Sequence, residues 1–185
     1  MVKTASTMID LGTNAPQFKL IDAVSGKQIS YSDNKNAVAT VIMFICNHCP
    51  YVKHINHELT RLANDYLAKG IQFFAINSND ATQYPEDSFE NMKMNAKVQA
   101  YPFPYLYDET QEVAKAYQAA CTPDFFIFNH LNELVYRGQL DDSRPGNGIP
   151  VTGSSIRDAL NCLLSNKEIT KDQSPSLGCN IKWKS

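Results

Sequence analysis

"AVATVIMFICNHCPYVKHINHELTRLANDYLAKGIQFFAINS", residues 37 to 78, decides how the rest of the chain is read. Its opening run, Ala37 to Ile45, is unbroken apolar sequence rich in β-branched side chains. Such a run suits a strand buried on both faces, as at the centre of a sheet covered by helices. After it, Val52, Ile55, Leu59, Leu62, Tyr66 and Leu67 recur every three or four residues, the spacing of one helix face. Gly70 is placed to end that helix. Ile71 to Ser78 is a second apolar strand. Strand, helix and strand at this length predict a βαβ unit, whose right-handed crossover makes the strands parallel.

Upstream lie two weaker strand signals, around Phe18 and Ile29. Downstream, Pro85 is placed to open a helix within "NDATQYPEDSFENMKMNAKV". "YPFPYLYDET" reads as extended, and Asp108 as the N-cap of a helix over Val113 to Ala120, with Gln111 three residues on. "DFFIFN" and "ELVYRGQL" read as a hairpin turning at "HLN", and "DDSRPGNGIPVTG" as a loop. Ile156, Ala159, Leu160, Leu163 and Leu164 mark a last helix. The segment "DQSPSLGCNIKWKS" lacks periodicity and reads as a tail folded back on the sheet, with Trp183 as its apolar anchor. The predicted class is α/β: a central mixed sheet with helices on both faces, an N-terminal β extension and a C-terminal tail. Residues 1–171 form the single domain and 172–185 the tail that packs on it.

The chain has 185 residues, a length that suits one domain. Hydrophobic residues make up 43% and charged residues 19%, which argues against disorder. Net charge is −2 and no Lys/Arg block is present, which excludes nucleic acid as an expected partner. No apolar run is long enough for a bilayer span, and no apolar stretch follows Lys3 as in a secretory signal. The expectation is a cytoplasmic protein with no membrane partner. The sequence leaves the oligomeric state open.

Cysteine usage narrows the chemistry. There are five: Cys46, Cys49, Cys121, Cys162 and Cys179. An odd count in a reducing compartment argues against a disulfide framework and for catalysis, metal binding or burial. Cys46 and Cys49 straddle the junction between the first strand and the helix. A cysteine at a helix N-terminus has its thiolate stabilised by the helix dipole and unpaired N–H groups. Two intervening residues keep the second thiol on the same face and within disulfide reach. His48, when protonated, adds positive charge beside the pair. A zinc site would need a second close Cys/His pair, which the sequence lacks; His54 and His57 read as a solvated helix face. Cys162 reads as core. Pro123 stands just before a strand, where an X-Pro bond is either trans, the commoner case, or cis with its backbone aimed at a neighbouring site. Cys121 lies two residues before Pro123, so this fold brings it near the Cys46 face. Cys179, with Lys182 and Lys184 nearby, is a candidate third redox thiol that pairs with Cys121 or relays from the Cys46–Cys49 pair; the alternative is that both are simply buried.

With the CxxC turn and a Thr-Pro before a strand in hand, the chain resembles the thioredoxin superfamily. More closely, it is similar to the peroxiredoxin-like branch of thioredoxin-family proteins that carry CxxC. "APQFKL", "FICNHCPYVKHI", "YPEDSFENM", "FPYLYDETQEVAKAY", "CTPDFFIF", "DDSRPGN" and "GCNIKW" carry the resemblance, so nearly the whole chain takes part. It implies a thioredoxin-like fold with a cis bond at Thr122–Pro123 facing Cys46. It also implies that Cys46 is the exposed nucleophile and Cys49 the resolving thiol. If Cys49-Pro50 is aligned with the peroxidatic cysteine, Cys46 replaces that family's hydroxyl residue and Pro123 falls where its arginine would be. Nor does the strand Ala37 to Ile45 hold the buried acid that thioredoxins keep there. The implied activity is therefore thiol–disulfide exchange on a protein or small-molecule disulfide, with no cofactor or metal. The alternatives are a thiol peroxidase with Cys49 as the peroxidatic cysteine, and a redox-sensing or thiol-binding module without turnover.

Overall fold

The computed structural model describes residues 3–34 and 36–184. Its centre is the predicted βαβ unit: β4 (Ala39–Phe44), α1 (Pro50–Leu67) and β5 (Ile71–Asn77). The strands β1 (Lys3–Ala5), β2 (Lys19–Asp22) and β3 (Gln28–Ser30) precede it. After it come α2 (Phe89–Val98), β6 (Tyr105–Tyr107), α3 (Glu112–Ala116), β7 (Cys121–Thr122), β8 (Asp124–Asn129), β9 (Leu134–Gly138), α4 (Ser154–Leu164) and β10 (Leu177–Asn180). Seven strands form one mixed sheet in the order β3-β2-β6-β5-β4-β8-β9. β4 sits inside it, parallel to β5 and antiparallel to β8. Every residue of β4 is buried, as a sequence apolar at all positions but Thr40 suits in a strand covered on both sides.

The period-2 alternation of β4 feeds two cores. Val41, Met43 and Ile45 pack with Val52, Ile55, Leu59 and Leu62 of α1, Met92 of α2, and Ile156 and Leu160 of α4. Ile42 and Phe44 face the other way, against Ala114 of α3 and the rings of Phe18, Tyr31, Tyr117, Phe126 and Phe128. Leu59 and Leu62 are fully buried, which stabilises the fold by roughly 1.5–3 kcal/mol each. Helices thus cover both faces. Among the described residues, no helix is long and apolar enough to cross a membrane.

Four local expectations need correction. Pro85 opens a 3-10 turn, Pro85–Asp87, and α2 starts later, behind Ser88, whose hydroxyl accepts the Asn91 N–H at 3.4 Å. Asp108 is not the N-cap of α3: Gln111 is, in a left-handed conformation. The buried Asp108 carboxylate still accepts the Ala114 N–H at 2.9 Å, and the helix stops at Ala116 before the left-handed Gln118. Cys162 is half-buried rather than core. The tail is not irregular: Leu177–Asn180 is a strand between β1 and β7 in a second, antiparallel sheet. Ile181 anchors it at 1% exposure, while Trp183 is 41% exposed and stays outside the core.

Candidate active site

Everything chemical gathers where β4 hands over to α1. Pro50 is the first residue of α1 and Cys49 its N-cap, so Cys49, rather than Cys46, sits on the helix axis. Proline fits the first helical position because that N–H has no partner within the helix.

The intervening dipeptide is held from below. The buried Asp87 carboxylate accepts the Asn47 N–H at 2.7 Å, the Asn79 side-chain amide at 2.8 Å and the Asn77 amide at 3.3 Å. It also pairs with His48 Nδ1 at 2.6 Å. Tyr84 stacks on the imidazole at 5.3 Å between centroids. The hydrogen bond to Asp87 pushes the His48 pKa up against the opposing effect of burial. Burial would raise Asp87, but the hydrogen bonds from His48, Asn79 and Asn47 overcome it and hold the carboxyl low. The imidazolium charge expected to favour a thiolate is therefore met by a carboxylate, and Asp87 itself raises the Cys46 pKa.

Facing this turn is the segment around Thr122–Pro123, whose peptide bond is cis. Thr122 Oγ1 lies 3.3 Å from Cys46 Sγ, and the Thr122 carbonyl oxygen 3.1 Å from Cys49 Sγ. Cys179 Sγ, on β10, lies 3.0 Å from Cys49 Sγ. None of the five cysteines is in a disulfide. Cys46 and Cys49 are 2% and 0% exposed, so the expectation of an exposed Cys46 is not met: the tail strand and the Thr122–Pro123 segment lie over the pair.

Acidity divides unevenly within this trio. Hydrogen bonding from Cys46 draws the Cys49 pKa down to about 5, against burial, with help from Cys179 and the Val52 N–H. The hydrogen bond that Cys46 gives to Cys49, its burial and Asp87 push the Cys46 thiol well up. Burial pushes Cys179 up to about 12. Acidity thus leans toward Cys49, at the helix N-terminus, rather than toward Cys46, while in this structure the Cys49 thiol donates to the Thr122 carbonyl and to Cys179 Sγ. Cys121 also lies on β7, but its sulfur approaches the Pro123 carbonyl at 3.5 Å and burial raises its pKa.

Two buried acids had escaped notice. Asp87 lies 39 residues from His48 in a turn read as helix. Asp124, next to Pro123, is held by Ser6 Oγ at 2.7 Å, and burial raises its pKa to about 7. "YPEDSF" and "TPD" were the only signals for them. Cys46, His48 and Asp87 offer a thiol, an imidazole and a carboxylate within 4.8 Å of one another, the donor set of a metal site. The four hydrogen bonds already converging on Asp87 make this a positioning network first.

Residues 11–137 match the AhpC/TSA family. This chain belongs to the AhpC/TSA family. A crystal structure of an uncharacterized conserved protein from Geobacillus kaustophilus is 64% identical, with TM-score 0.98, covering 100% of this chain and 97% of that one. The hypothetical protein SMc02350 from Sinorhizobium meliloti 1021 is 47% identical, with TM-score 0.96 and coverage of 98% and 99%. A putative thiol:disulfide interchange protein DsbE from Chlorobium tepidum is 17% identical, with TM-score 0.66 over 84% of this chain and 99% of that one. That last likeness establishes the thioredoxin-like fold. No curated protein gives a significant match.

Proposed function

We propose that this member of the AhpC/TSA family is a thiol–disulfide oxidoreductase acting through Cys46 and Cys49. The observation that carries the reading is Cys49 at the N-cap of α1, its sulfur within 3.1 Å of the Thr122 carbonyl and 3.0 Å of Cys179, with Cys46 beside the Thr122 hydroxyl. Family membership and the thioredoxin-like fold support thiol redox chemistry. In this reading the Cys49 thiolate attacks one sulfur of a substrate disulfide, and the other sulfur leaves as a thiolate that takes up a proton. Cys46 then gives up its proton and attacks Cys49 in the mixed disulfide. The second substrate sulfur leaves, so the substrate gains two electrons and the protein holds a Cys46–Cys49 bond. The Asp87 carboxylate lies within 4.8 Å of the Cys46 sulfur, close enough to receive its proton through one water, with His48 holding that carboxylate in place. Thr122 and Pro123 line the pair and orient it.

The roles of the two cysteines are thus exchanged relative to the sequence expectation. A thiol peroxidase would use the same Cys49, whose acidity is set first by the hydrogen bond from Cys46. Reduction of insulin and of a small symmetric disulfide, measured beside hydrogen peroxide consumption, tests the reading. The expected result is disulfide reduction lost in Cys49→Ala, with mixed disulfides trapped on Cys49 when Cys46 and Cys179 are both replaced by alanine. Peroxide turnover without disulfide reduction would replace the reading with the peroxidase. Inactivity in all three assays would favour a module that senses rather than turns over.

A further inference from the structure

The sheet edge beside Pro123 is where an extended partner backbone would add as a strand to an oxidoreductase of this fold. In this chain that edge is taken. β10 pairs with β7 in antiparallel register, Cys179 opposite Thr122 and Asn180 opposite Cys121. The register decides which thiol meets which. Residues opposite one another in a sheet share a face, and successive residues alternate. Cys179 therefore joins Thr122 on the side of the CxxC turn, while Cys121 is matched to Asn180. This register favours contact of Cys179 with the CxxC turn over a Cys121–Cys179 pair.

The docking is built closely. A Cβ at Gly178 would lie 2.0 Å from the Thr122 carbonyl oxygen, so β10 reaches this depth only because residue 178 has no side chain. Ser176 Oγ donates to the Pro123 carbonyl at 2.6 Å on one side of the contact. On the other, the Ile181 N–H donates to Ala120 O at 3.2 Å and the Lys182 N–H to Asn79 Oδ1 at 2.8 Å. Held so, Cys179 Sγ stands 3.0 Å from Cys49 Sγ, and Cys46 is the other thiol that hydrogen-bonds Cys49.

We propose that Cys179 is a third redox thiol, delivered by β10 as a built-in partner strand, and that it takes over Cys49 from Cys46. The proposal rests on the exchange chemistry proposed above. Once turnover has left the Cys46–Cys49 bond, Cys179 loses its proton and attacks the Cys49 sulfur. The Cys46–Cys49 bond breaks as the Cys49–Cys179 bond forms, and Cys46 leaves as a thiolate and takes up a proton. Two electrons change partners and none is gained or lost, so no outside oxidant or reductant enters. The product ties the tail covalently across the site and returns Cys46 to the reduced state beside the Thr122 hydroxyl.

Peptide mapping by mass spectrometry, after equilibration in glutathione redox buffers, acid quenching and alkylation, tests this on the full chain. The wild type is expected to give two mutually exclusive bonds, Cys46–Cys49 and Cys49–Cys179. Cys46→Ser should accumulate Cys49–Cys179 in place of a glutathione adduct on Cys49. Gly178→Ala should lower the Cys49–Cys179 share by about tenfold or more while Cys46–Cys49 still forms, because the added methyl collides with Thr122. If Cys46→Ser does not fold, the wild-type and Gly178→Ala maps decide alone. A wild type that forms Cys46–Cys49 while Cys179 stays open to alkylation, or is linked to Cys121, overturns the inference and leaves the oxidoreductase standing. A Cys49 that forms no bond under any poise overturns both.

Discussion

Removing the thiol donors to Cys49 one at a time gives the most searching test of the site. Its pKa of about 5 rests first on the hydrogen bond from Cys46 and then, against burial, on that from Cys179 and the Val52 N–H. A hydrogen bond to a charged group contributes about 1.5–3 kcal/mol. One pKa step corresponds to about 1.4 kcal/mol, so losing one donor should raise the midpoint by roughly 1–2. Cys46→Ala or Cys179→Ala alone should then titrate Cys49 near about 6–7, and the double variant near the ordinary value of about 8.5. The ultraviolet absorbance of the thiolate, followed against pH with Cys49→Ala as the blank, reads this without needing reagent access to a buried sulfur. At pH 7 a group with a pKa near 5 is about 99% ionised, whereas an ordinary thiol is about 3% ionised. The wild type should therefore show nearly one full thiolate at neutral pH. No thiolate absorbance below about pH 8 would refute the placement of the charge on Cys49. A midpoint unmoved in both single variants would show that the helix N-terminus, not the thiol trio, sets the acidity.

Asp124 should make stability fall with rising pH. Its folded pKa is about 7 against about 4 unfolded, so between those values the native state holds the extra proton and loses its advantage as pH rises through 7. Cys49 acts in the opposite sense, since its folded pKa is depressed, so the test is the difference between wild type and Asp124→Asn in urea melts at pH 5 and pH 8: the variant should gain on the wild type at the higher pH. Glu58, 3% exposed, joins Arg61 at 2.7 Å to Arg157 at 2.8 Å; Glu58→Ala should cost about 1–3 kcal/mol in the same melts, because both guanidinium groups retain some water. Phe44 is fully buried among Tyr117 and Phe126, and Phe44→Ala should cost about 3–5 kcal/mol by leaving a cavity; a loss below ~1 kcal/mol would show that the second core can collapse around the gap.

The parts of the fold legible in sequence were those whose signals are long and redundant. Eight apolar residues of nine at Ala37 to Ile45 and six periodic ones from Val52 to Leu67 leave little else for residues 37–78 to be. β10 was invisible for the opposite reason. Four residues, Leu177–Asn180, include a glycine and a cysteine and show no alternation, and their place is fixed by the close approach of Gly178 to Thr122. The site divided in the same way. The CxxC turn and Thr122–Pro123 were readable locally. Which cysteine holds the helix N-terminus depends on Pro50 as first helical residue, a signal present locally in "CPYV". Asp87 could not be found by pattern, since its pairing with His48 joins two loops that only the folded sheet brings together.

The contact between Cys49 and Cys179 spans 130 residues, and this fixes an order of events during synthesis. A chain emerging from the ribosome at about 5–20 residues per second presents the Cys46–Cys49 turn well before residue 179 has been made. Through that interval the turn lacks its covering strand, and Cys49 lacks its thiol neighbour Cys179. The nascent chain is thus a chemically different reagent from the finished one, open to glutathione and to other thiols at an edge that β10 later closes. A premature stop before Leu177 would make that interval permanent.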